Sequence, residues 1–131
     1  MSDIPRRPGT TPLAVIVEDN DSVARVFRAA ADRAGFQTEW IPDGQQALQR
    51  LAVLTPDLVV LDVHLPFVSG REIMKHIRSN PRMALTWVVV ATADIAAARD
   101  LEQAADFVLE KPCGFTELYE LAQKLRQKLD R

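Results

Sequence analysis

The chain has 131 residues, 47% hydrophobic and 26% charged, with a formal net charge of -2. That suits one domain around one core and gives no chain-wide basic footprint for nucleic acid. A lone cysteine, Cys113, excludes an internal disulfide, and no apolar run approaches the roughly 18 residues that span a bilayer, so no membrane insertion is expected.

Residues 1–12 (MSDIPRRPGTTP) hold three prolines and a glycine, which predicts a flexible tail. They contain no apolar stretch of a secretory signal, so a cytoplasmic location is expected. From Leu13 two kinds of segment alternate. Runs 13–18, 58–62, 87–91 and 107–110 are rich in β-branched residues or leucine and nearly continuous in apolar character, as strands buried on both faces should be. The more polar run 37–41 (QTEWI) reads as an edge strand. Val23, Val26, Phe27, Ala30 and Ala34 recur at helical spacing, and Gly35 stops that helix. Ala47, Leu48, Leu51 and Leu54 mark a second helix ended by Thr55-Pro56. Ile73, Met74 and Ile77 mark a third that stops before Asn80-Pro81. The alanine-rich segment 95–105 is read as a fourth helix. Leu118, Leu121, Ala122, Leu125 and Leu129 define the last. Trp40 and Trp87 are expected to be packing residues.

Five β-α repeats predict a parallel sheet with helices on both faces, built as a single domain over 13–131. In such sheets ligands bind outside the carboxyl ends of the strands. Four polar positions stand at those ends: Glu18-Asp19, Asp62, Thr92 and Lys111. Three carboxylates, a hydroxyl and an ammonium at one rim make a site for a divalent metal and a phosphoryl group. An aspartate can attack phosphorus and become an aspartyl phosphate. Mg2+, held by Glu18 and Asp19, would relieve the charge on the phosphoryl oxygens. Lys111 offers a mobile cation, and Thr92 a hydroxyl donor. Without a cation the acids repel, so at least one pKa should rise.

VEDN at 17–20, LDVHLP at 61–66 with Gly70 eight residues beyond Asp62, ATA at 91–93 and EKP at 110–112 together resemble a response-regulator receiver domain. The resemblance covers about residues 13–129. It implies a flavodoxin-like α/β fold, a doubly wound five-stranded parallel sheet of order 2-1-3-4-5. It implies Asp62 as phosphoacceptor, with Thr92 and Lys111 contacting the phosphoryl group. Asp19, Glu18, Asp62 and the backbone carbonyl of His64 would surround Mg2+, and the Lys111-Pro112 bond would be cis. The implied function is a phosphorylation switch of a two-component system or phosphorelay. Its donor is a histidine kinase or histidine phosphotransfer protein, and its output acts on a downstream protein target.

Three departures from the pattern matter. The aromatic switch residue usually stands three before the lysine, where this chain has Val108; Phe107 falls on the opposite strand face. The Thr92-to-Lys111 interval is a few residues short, within 95–105. His64 and Asp94, each two beyond a site residue, are expected to tune the lifetime of the phosphoaspartate. Two other functions remain open: an interaction module that no longer takes up phosphate, and a phosphatase for small substrates. The phosphatase would favour a second acid where His64 stands. The chain could also be the receiver of a longer regulator. It is expected to be a monomer or a phosphorylation-dependent dimer, without direct nucleic-acid binding.

Overall fold

The run LAVIV folds as strand β1 (Leu13–Val17), and its residues alternate between two cores. The structure, a computed structural model, describes residues 10–129. The expectation of a flexible tail falls mostly on residues outside that range. In chain order there follow α1 (Asp21–Arg33), β2 (Gln37–Ile41), α2 (Gly44–Leu51), β3 (Leu58–Leu61) and α3 (Gly70–Ser79). A 3-10 turn at Pro81–Met83 leads to β4 (Trp87–Thr92), α4 (Ile95–Leu101), β5 (Phe107–Glu110) and α5 (Phe115–Leu129). The sheet is wholly parallel in the order β2-β1-β3-β4-β5, as expected.

Side chains alternate across a strand, so one strand feeds two cores. Val15, Val17, Val59, Leu61, Val88 and Val90 face α2, α3 and α4, against Leu51, Ile73, Ile77 and Leu101. Ala14, Ile16, Leu58, Val60, Val89 and Ala91 face α1 and α5, against Phe27, Ala30, Leu118 and Leu125. Burying each Val, Leu or Ile side chain contributes about 1.5–3 kcal/mol, which is why the three central strands are apolar but for Thr92 at the end of β4. The more polar β2 lies at the edge, where its Glu39 carboxylate takes two hydrogen bonds from Arg50 of α2, at 2.6 and 2.9 Å.

The helix ends follow from local chemistry. Asn20 caps α1, its side chain accepting from the Val23 N–H at 3.0 Å. Gly35, at φ +104°, ends it: the Gly35 N–H donates to the Asp32 carbonyl, and the Phe36 N–H to that of Ala31. This paired pattern needs a left-handed residue, which glycine supplies without a Cβ clash.

Two helices are shorter than their sequence patterns. The second ends at Leu51 rather than Leu54, because the Val53 and Leu54 N–H groups both turn back to the Arg50 carbonyl. The fourth ends at Leu101, so residues 102–104 form a turn. Arg78 of α3 holds that turn in place. Its guanidinium donates to the Ala104 carbonyl at 2.8 Å, the Thr86 carbonyl at 3.1 Å and Asp106 at 2.9 Å. Asp106 in turn accepts from the Val88 N–H at the start of β4, at 2.7 Å.

Candidate metal and phosphoryl site

Each proposed site residue stands where a strand gives way to a loop or helix. Glu18 and Asp19 follow β1, Asp62 follows β3, Thr92 closes β4 and Lys111 follows β5. Carboxylate oxygens of Glu18, Asp19 and Asp62 all lie within 4.8 Å of one another. The Lys111 ammonium is 2.6 Å from Glu18 Oε1 and 3.7 Å from Asp62 Oδ2. The Lys111 N–H donates to the Thr92 carbonyl at 2.9 Å, which ties the β5 end to the β4 end. The Lys111-Pro112 bond is cis, as the resemblance implied. All five chemistry-bearing positions therefore share one rim.

Burial controls the electrostatics. The Glu18 side chain is only 2% exposed. Desolvation pushes its carboxyl up to about 7, against the hydrogen bond from Lys111, and the neighbouring Asp62 charge pushes the same way. The expected rise in one acid is therefore present, but burial outranks mutual repulsion as its cause. Burial tends to lower the Lys111 pKa; the Glu18 hydrogen bond and the Asp62 and Glu18 charges overcome this and raise it, so the ammonium stays charged. Asp62 Oδ1 accepts from the His64 N–H at 3.2 Å, which orients the carboxylate. Thr92 Oγ1 accepts from the Asp94 N–H at 3.0 Å, leaving its own proton available.

The oxygen-only donor set, its charge of up to three and its position at an open rim fit a hard divalent cation such as Mg2+. Gly70 makes the rim compact: a Cβ there would lie 2.6 Å from Val63 Cα and 2.8 Å from the Asp62 carbonyl oxygen. The first turn of α3 therefore rests directly on the backbone that carries Asp62. Between them the Val68 N–H donates to the Pro66 carbonyl at 2.8 Å, a γ-turn that holds Phe67 at φ +70° and 87% exposed.

Two features of the site escaped the sequence reading. The His64 ring and the Asp94 carboxylate are hydrogen-bonded, Nε2 to Oδ2 at 2.8 Å, which bridges the β3 and β4 loops beside Asp62. Asp94 also caps α4 through the Ala97 N–H; that bond first, and His64 second, lowers its pKa. Trp40 does more than pack: its indole N–H donates to the Glu18 carbonyl at 2.7 Å. Parallel pairing of Trp40 with Ile16 places it beside the end of β1, a register no local motif encodes. Val108 and Phe107 lie on opposite faces of β5 as expected; Val108 packs toward α4, and Phe107 lines a shallow groove with Leu121 of α5.

Among the described residues no helix is long and apolar enough to cross a membrane. The family model of the response regulator receiver domain matches residues 14–123. The DNA-binding response regulator MtrA of Mycolicibacterium smegmatis is 31% identical over 117 residues, covering 89% of this chain and 50% of that protein. The chain spans 14% of the length of one curated relative, 50% of MtrA and 81% of the probable methanogenesis regulatory protein FilR2 of Methanothrix harundinacea. Among solved structures, the signal receiver domain of a LuxO repressor protein from Vibrio parahaemolyticus superposes with a TM-score of 0.80 at 25% identity, covering 92% of this chain and 94% of that one. The receiver domain of a sensor histidine kinase from Pseudomonas aeruginosa PAO1, which has magnesium coordinated in its active site cleft, gives 0.79 at 24% identity, covering 90% and 99%. With the sheet order, the acid cluster and these likenesses together, the chain belongs to the response regulator receiver domains of two-component signalling systems.

Proposed function

We propose that this chain accepts a phosphoryl group from a phosphohistidine donor, a histidine kinase or a histidine phosphotransfer protein, onto Asp62. The observation that carries the reading is the convergence of Glu18, Asp19 and Asp62 with the Lys111 ammonium at one rim. An Asp62 carboxylate oxygen attacks phosphorus; the phosphorus–nitrogen bond of the donor breaks, and its electron pair returns to the donor imidazole. The His64 N–H orients the attacking carboxylate. Lys111, charged and close to both acids, contacts a phosphoryl oxygen, and the Thr92 hydroxyl donates a hydrogen bond to another. Glu18, Asp19, Asp62 and the His64 carbonyl would hold Mg2+, which when bound would offset the negative charge of the phosphoryl oxygens. The chain thus catalyses only its own phosphorylation and dephosphorylation, and otherwise acts as a cytoplasmic signalling module over 13–131.

The output is a shift in population between two surface arrangements, read by a downstream protein target. Thr92 supports this: moving its hydroxyl toward a phosphoryl group means releasing the Asp94 N–H, and Asp94 caps α4 and pairs with His64. The change reaches α4 without a switch aromatic at Val108. The chain works as a monomer or a phosphorylation-dependent dimer, alone or as the receiver of a longer regulator, and does not itself bind nucleic acid. The short α4 and Val108 favour, as a second reading, a constitutive interaction module.

Incubation with Mg2+ and a small acyl phosphate, followed by intact mass, tests the proposal. One phosphate gained by the wild type, and none by Asp62→Ala, is expected. If the wild type gains none and binds no phosphoryl mimic, the constitutive module replaces it. Multiple turnover of a small phosphate ester would instead revive a phosphatase.

A further inference from the structure

Glu18 and Asp19 are adjacent, yet they are restrained by different means. The Glu18 carboxylate accepts from Lys111 Nζ at 2.6 Å and from the Asn20 N–H at 3.2 Å. Asp19 is exposed, and its carboxylate has no hydrogen-bond or ion-pair partner among the described residues. The aim of that carboxylate therefore depends on its backbone, above all on the peptide between Glu18 and Asp19. This peptide lies past Val17, the last β1 residue paired in the sheet ladder.

A carbonyl beyond the end of a strand has lost its ladder partner and needs another donor. On one side the backbone is held by the sheet, the Glu18 N–H donating to the Ile41 carbonyl at 3.2 Å. On the other, the Glu18 carbonyl itself accepts from Trp40 Nε1 at 2.7 Å. Indole has one N–H donor and no acceptor, so this bond has a single direction. The ring is fixed as well, because Trp40 packs against the core that contains Ile16 and Phe27.

We propose that Trp40 is a positioning residue of the cation site: its indole N–H pins the Glu18–Asp19 peptide plane and so aims the Asp19 carboxylate at the cation. Any large apolar residue at position 40 would pack against this core, but only tryptophan combines that packing with a donor at this reach. The inference rests on the reading of the acid cluster as a Mg2+ site.

Isothermal titration with Mg2+ alone tests it on the full chain. Two variants remove the donor: Trp40→Phe, and Trp40→3-benzothienylalanine, which keeps the ring shape and replaces N–H with sulfur. Each should weaken Mg2+ binding about threefold to tenfold, the range of one net hydrogen bond. In an Asp19→Asn background the same changes should cost less than about twofold, because the ligand that Trp40 aims is already weakened. Trp87→Phe, at the opposite end of the sheet, should bind Mg2+ like the wild type, and its sole remaining tryptophan should change emission with the same dissociation constant. Unchanged Mg2+ affinity in both position-40 variants overturns the proposal. So does an equal loss with and without Asp19, which would mean that Trp40 acts on the fold generally. Absence of Mg2+ binding by the wild type overturns the cation reading and this inference with it, whereas wild-type binding with unaffected variants overturns this inference alone.

Discussion

Glu18 makes the stability of the metal-free protein depend on pH in an unusual direction. Its carboxyl is pushed from 4.5 to about 7 in the folded state, chiefly by burial. Between those values the folded chain binds more proton than the unfolded chain, so stability falls as pH rises. The contribution is fully present below the unfolded value and is lost as pH passes through about 7. Between about pH 5 and pH 8 the loss is about 2–3 kcal/mol, or roughly 8 °C in Tm for a domain of this size. Glu18→Gln removes the buried charge, keeps an acceptor for Lys111, and should flatten this slope. Urea unfolding followed by circular dichroism in EDTA, at several pH values, compares the two proteins. Their difference isolates Glu18, together with its contacts to Lys111 and Asp62, from the remaining titrating groups. Parallel pH profiles would refute the reasoning. Saturating Mg2+ should restore the wild type at the alkaline end, because binding to the native state alone adds stability.

Breaking the His64–Asp94 bridge should open the approach to Asp62: alanine at both positions is expected to speed loss of phosphate about threefold to tenfold, at most ~1.4 kcal/mol of barrier. An unchanged decay rate would remove these residues from the lifetime control. Arg78→Met should lower the urea midpoint by the equivalent of about 2–3 kcal/mol, since two carbonyls and Asp106 lose a charged donor; a loss under about 0.5 kcal/mol would show that the turn after α4 holds itself. Phe67→Gly should stabilise the fold by about 1 kcal/mol, because φ +70° strains a non-glycine residue and the exposed ring loses little packing. A destabilised variant would mean that Phe67 makes contacts its exposure does not suggest.

The sequence was most informative where local chemistry and local structure coincide. Four nearly continuous apolar runs and one mixed run located every strand to within a residue or so, and the polar QTEWI run is an edge as expected; the run 107–110, apolar enough to suggest burial on both faces, is instead the other edge, with Phe107 and Glu110 exposed. Gly35 and Asn80-Pro81 punctuate the helices through side-chain and backbone effects that need no partner from elsewhere. The five chemistry-bearing positions were legible because a parallel β-α repeat must bring its strand ends to one rim. Helix lengths were less legible: Leu54 continues an apolar period, yet the chain turns at Arg50, and α4 stops at Leu101, where the loop is held by a guanidinium from α3. Tertiary structure alone decided three matters. It buried Glu18 enough for desolvation to outrank repulsion, paired His64 with Asp94 across two strands, and set Trp40 against the Glu18 carbonyl. Each depends on the register and separation of segments 22 to 93 residues apart. Propensity and periodicity report a residue's own segment, whereas dielectric environment and cross-strand hydrogen bonds exist only once the sheet has closed.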